Sequence, residues 1–228
     1  MPGRKRKAMP DLQPSQLPVR LAPVADVAEQ LEHSATFREG VLTGCDFSAQ
    51  TADDVLFEQV LCRHLRFDQA VLTLAQVLDV RLETCDLAAS VWEKAHFRRV
   101  EVVGSRLLGA AFADCELTDV LFQQSNLELA RFWGSTLRSV RFERCELRQA
   151  SFENVDLSGV IFHDCDLTGA DLRGARLVGA DLRGSTLSGV QVGAQDLRGA
   201  IIDPSQTIHL ATLLGITVRE RGDEMAGM

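Results

Sequence analysis

The sequence predicts an all-β solenoid that turns a corner every five residues and closes a coil every twenty. Three observations carry this. First, a large apolar side chain recurs at every fifth residue from Phe37 to Ile202, through 34 consecutive positions without an insertion; only Cys62 and Ala52 are small, and none is charged. Second, the position two residues earlier in each phrase is almost entirely Ala, Ser, Cys or Val, as at Ala35, Cys45, Ser105, Ala110, Ser125 and Ala130, with Gln50 and Leu65 among the exceptions. Third, residues twenty apart resemble one another. Val60, Val80, Val100, Val120, Val140 and Val160 form an unbroken column. Phe122, Phe142 and Phe162 form another, and Phe112, Phe132 and Phe152 a third. A period of five fits neither the 3.6 of a helix nor the 2 of a strand. Like side chains at a spacing of twenty fit four phrases stacked on the four below.

The elements follow in chain order. Residues 1–22 read as a flexible basic extension, with the charge concentrated in "GRKRK" and no apolar signal-peptide core behind it. Residues 23–34 read as an N-terminal cap, in one of two forms. Val24, Val27, Ala28 and Leu31 have helical spacing, and an irregular extension of the first coil accounts for them equally. Residues 35–202 are the coiled body. Its large and small columns point inward and the other three residues of each phrase face water. A glycine recurs at the corner of phrases such as "ADLRG". Residues 203–218 read as a capping and dimerisation helix followed by a short strand "ITV". Asp203 is the N-cap, Pro204 opens the helix, Gln206 completes a capping box and Gly215 ends it. Residues 219–228 are a frayed tail.

"ADLRG" occurs at Ala170–Gly174 and again at Ala180–Gly184. These phrases resemble the pentapeptide-repeat family, over about three quarters of the chain and with no room for projecting loops. The loop-free, actinobacterial-type dimeric members are the closer analogy, and the mycobacterial fluoroquinolone-resistance proteins a more distant one. The resemblance implies a right-handed quadrilateral parallel β-helix. Thirty-four phrases then make about 8.5 coils, and a rod of roughly 40 Å at ~4.8 Å per coil.

The composition sets the class. The 228 residues are 46% hydrophobic and 25% charged, enough to build a sizeable core. No apolar run reaches the length of a membrane helix. The six cysteines show no paired spacing, which fits a reduced, cytoplasmic protein. Cys145 and Cys165 fall one coil apart, yet they share a column that also takes Ser, so they read as buried thiols. The five histidines pair at no metal spacing, no nucleophile stands beside a base, and the corner glycines serve turning rather than phosphate binding. The sequence therefore argues against an enzyme, a cofactor and a metal.

What remains is surface. The net charge is −8, and the body carries −7 of it. Sorted by face, the surface outside the Phe122 column is neutral. The face with Asp46, Asp68, Asp86, Glu128, Glu146 and Asp166 carries −3. The next, with Asp114, Glu153 and Asp171, also carries −3. The fourth carries −1. Arginines interrupt both acidic faces. Leu108, Leu129 and Trp133 stand outward as an apolar contact, and Ile208 and Leu213 are left on the C-terminal helix for a homodimer. Some relatives protect DNA gyrase from quinolones or gyrase-directed toxins. The resemblance therefore implies a DNA mimic whose acidic rod meets a basic saddle on a type II topoisomerase. The alternative is a scaffold for another protein partner, without topoisomerase activity. Direct nucleic-acid binding through "GRKRK" is opposed by the acidic body, and no membrane contact is expected.

Overall fold

In the computed structural model, residues 12–24, 30–213 and 215–219 are described. They form a right-handed β-solenoid ending in one short helix. Strand β1 (Ala22–Pro23) pairs in parallel with β2 (Thr36–Thr43). Beside β2 lie β4 (Leu56–Arg63), β6 (Gln76–Glu83), β8 (His96–Val103), β10 (Glu116–Gln123), β11 (Thr136–Glu143) and β12 (Ile161–His163), completing an eight-stranded sheet. On the opposite side, β3 (Thr51–Asp53), β5 (Val71–Thr73), β7 (Val91–Glu93) and β9 (Ala111–Ala113) form a four-stranded sheet. From β2 onward every pairing has the same register: Val120 meets Val140, Phe122 meets Phe142, and the last bridge joins Asp181 to Ile201. The twenty-residue coil read from the sequence is thus the coil of the fold.

Each phrase turns because its fifth residue takes a left-handed backbone. Every fifth residue from Ser34 to Gly189 has φ between +48° and +76°, whether glycine or not. A side chain in that region costs about 1–2 kcal/mol, less for Asn and Asp. Two of the glycines have a second reason. A Cβ on Gly174 would strike Asn154 Oδ1, and one on Gly184 would strike Asp164 Oδ1.

Both inward columns are buried. Phe112, Phe132 and Phe152 stack with ring centroids 4.8 Å apart, and Phe122, Phe142 and Phe162 with centroids 4.9 Å apart. The two stacks meet edge to face, as between Phe132 and Phe142 at 84°. Trp92, the bulky exception in its column, donates its indole N–H to Ser90 Oγ at 3.0 Å, and that hydroxyl donates to Leu87 O.

The small columns differ for a hydrogen-bonding reason. At Ala110, Ala130, Ala150 and Ala170 the N–H closes a turn onto the carbonyl three residues back, so the side chain need only be small. At Cys85, Ser105, Cys115 and Cys165 the N–H instead donates to the Ser Oγ one coil ahead, at 3.0–3.1 Å. Three of those hydroxyls in turn donate to carbonyls of the large column, as Ser135 does to Phe112 O and Ser185 to Phe162 O, while Ser105 donates to Val103 O. Thiols donate likewise, Cys145 to Phe122 O and Cys165 to Phe142 O. Reading these cysteines as small apolar fillers misses their polar role.

The ends depart from the sequence reading. The described part of the 1–22 segment does not extend freely: it lies back along the eight-stranded sheet. Gln13 N donates to Asp119 Oδ1, Ser15 N and Oγ to Glu101 Oε1, and Gln16 N to Asp79 Oδ1. Beneath it, Asp79 pairs with Arg99 and Glu101 with Arg81. Pro14, Pro18 and Pro23 favour an extended path for it. The helical reading of 23–34 falls largely on residues outside the described set; Leu31 is buried and Pro23 belongs to β1.

At the other end a 3-10 turn (Pro204–Gln206) leads into α1 (Thr207–Leu213). Gln206 Oε1 accepts from Asp203 N as the capping box requires, but the Asp203 carboxylate accepts from Gly184 N in the coil below. Gln206 Nε2 donates to Leu182 O and Ser185 O, tying the turn to the open end of the rod. The strand expected at "ITV" is not formed: residues 216–218 pair with no other strand.

Candidate interaction surface

With two of every five side chains committed inward, recognition falls to the remaining three. On the face before the Ala column, residues one coil apart alternate in charge: Asp46, Arg66, Asp86 and Arg106, then Asn126, Glu146 and Asp166. Arg66 binds Asp46 at 3.0 Å and Asp68 at 3.1 Å, Arg106 binds Asp86 at 3.2 Å, and Arg148 binds Asp166 at 2.7 Å. Glu146 accepts from Asn126 Nδ2. On the next face Arg173 pairs with Asp171. Hydrogen bonds from Ser48 hold the Asp46 and Asp68 carboxyls below their ordinary range, and Arg173 does so for Asp171. Exposed pairs like these add little stability. Their effect is on the field, because most of the acidic residues singled out in the sequence are neutralised by a neighbour. Asp114, Glu128 and Glu153 hold no ion pair.

The apolar candidates separate. Trp133 is 48% exposed and lies under the Arg131 guanidinium, 5.5 Å from the ring centroid; Leu129, at a left-handed corner, is 46% exposed. Leu108 is half-buried. On α1, Ile208 is exposed, whereas Leu213 packs against the end of the core, as Leu210 does.

Burial pushes the Cys85 thiol up to about 11, that of Cys115 to about 12, and that of Cys62 well above its ordinary value. All six cysteines are free. Among the described residues no cluster of His, Cys, Asp and Glu could hold a metal ion. No helix there is long and apolar enough to cross a membrane. Sequence reasoning missed the groove under residues 12–24; the proline spacing was the available signal.

Fold and surface together define a regular β-solenoid with outward-facing polar phrases. A model of the pentapeptide repeat region matches residues 75–152, and one of pentapeptide repeats in eight copies matches 150–189 and 165–202. The chain belongs to the pentapeptide-repeat family. No curated protein matches it. Among solved structures it is similar to trypsin-treated QnrB1, a plasmid-mediated fluoroquinolone resistance protein. The identity is 21%, over 85% of this chain and 100% of that one, with a TM-score of 0.42. It is also similar to HetL, involved in heterocyst differentiation regulation in the cyanobacterium Nostoc sp. strain PCC 7120, at 18% identity over 74% and 87% with a TM-score of 0.29. A third is AT2G44920 from the Arabidopsis thaliana thylakoid lumen, at 20% identity over 82% and 77% with a TM-score of 0.18.

Proposed function

We propose that this protein acts by binding another protein along its rod rather than by catalysis. The observation that carries the reading is the division of labour within each phrase: the inward residues are spent on packing and hydrogen bonding, and the thiols among them are buried. Type II topoisomerase is the first partner to test, on the family resemblance. In that reading Asp114, Glu128 and Glu153, which hold no ion pair, face the basic saddle, and the alternating ladder contributes less than its acid count suggests.

The test is a gyrase supercoiling assay titrated with the protein, with and without a fluoroquinolone. Inhibition or protection that disappears in the triple variant Asp114→Lys, Glu128→Lys, Glu153→Lys supports DNA mimicry. No effect at tens of micromolar (a weak-binding range) leaves a scaffold for a different partner. We further propose a homodimer through the C-terminal end, where Ile208, Ile216 and Val218 are exposed. Sedimentation at the mass of one 25.0 kDa chain would reject it.

A further inference from the structure

Most arginines of the rod hold a carboxylate, but three in one coil do not. Arg138, Arg141 and Arg144 follow one another at every third residue across and just beyond β11, and none has an ion pair or side-chain hydrogen bond. Their neighbours above and below are not acids for the most part. Arg141 is flanked by Leu121 and Ile161, both half-buried, and Arg138 by Thr118. Beside Arg138 the surface opens into a cleft of about 380 Å³, floored by Leu137 and walled by Ser139 from one coil and Asp156 and Ser158 from the next. Asp156 is turned to Arg176 at 3.6 Å. Ser158 N donates to Asp156 Oδ1 at 2.9 Å, which ties that wall of the cleft together.

We infer that this side of the rod docks an extended Asp/Glu-rich segment of a protein partner. Three unneutralised guanidinium groups offer bidentate sites for carboxylates. Leu121 and Ile161 supply the apolar area that protein interfaces combine with arginine. The chain's own "GRKRK" has the wrong charge for the site. This surface does not depend on the topoisomerase reading, which uses Asp114, Glu128 and Glu153.

The probe is a fluorescein-labelled peptide of Glu, Asp and Ser, about a dozen residues long, enough to span the three arginines at ~3.4 Å per residue. It is titrated with the full-length protein by fluorescence polarisation. Saturable binding that weakens with salt is expected, reduced about tenfold or more in the Arg138→Gln, Arg141→Gln, Arg144→Gln variant. The corresponding lysine variant should retain most of the affinity, and Arg66→Gln, paired to Asp46 several coils away, should leave it unchanged. No saturable binding, or equal loss in the Arg66 variant, overturns the inference. So does a short DNA duplex that binds through the three arginines while the peptide does not.

Discussion

At the scale of single residues, the fold turns on polar atoms satisfied in an apolar interior. Ser90 is the clearest case: its hydroxyl accepts the Trp92 indole N–H and passes a hydrogen bond to Leu87 O. Ser90→Ala keeps the volume nearly unchanged but orphans a buried donor, so a urea melt should show a loss of about 1–3 kcal/mol. Asp181 is the second case. Burial alone would raise its pKa, but hydrogen bonds from the Arg183 side chain and backbone outweigh it and hold the group at about 2. A carboxyl depressed in the folded state stabilises above its unfolded value, near 4, and loses that contribution as pH falls toward 2. Because Arg183 is half-exposed, the contribution is discounted to about 1 kcal/mol. Asp181→Asn should therefore lower stability by that amount at pH 7 and match the parent at pH 2.

At the scale of the elements, the inward ladders dominate. Phe142 stacks on Phe122 and Phe162 and meets Phe132 and Phe152 edge-on. Phe142→Ala should cost about 3–5 kcal/mol in a denaturant melt; an unchanged midpoint would contradict the packing described. The small column makes a chemical prediction. Under native conditions a thiol reagent should titrate one cysteine per chain, the partly exposed Cys45, and all six only after unfolding.

The ladders were legible in the sequence because the inward residues obey one repeating constraint, visible as like side chains at twenty-residue spacing. The hydrogen-bonding role of Ser105 or Cys165 was not. It depends on which corners close their own turn, and that varies around the coil with no simple mark in composition. The path of residues 12–24 was hidden for a different reason. Its donors reach Asp79, Glu101 and Asp119, from 63 to 106 residues away, and no local pattern reports such distant partners.

At the scale of the whole molecule, charge counted by face misjudges the surface. Both candidate acidic faces carry −3 in the sequence. The structure shows that the count is made of opposite charges one coil apart, as in the series Asp46, Arg66, Asp86, Arg106. What a partner meets is therefore set more by groups without an ion pair, among them Asp114, Glu128 and Glu153 and, elsewhere on the rod, Arg138, Arg141 and Arg144.

The invariant register of twenty has a geometric consequence for any such partner. Position along the chain encodes an angle as well as a height. Removing five residues would swing everything beyond the cut by about a quarter turn about the rod axis, bringing the wrong side of the molecule to face its partner. Removing twenty would restore the angle and lower the far end by one strand spacing, ~4.8 Å. Excising residues 161–180 should thus leave a cooperative unfolding transition and every upstream contact in phase, whereas excising 161–165 should separate surfaces on either side of the cut. Thermal melts together with binding by each deletion variant would tell the two apart. Changes in length that keep a partner in place come only in whole coils.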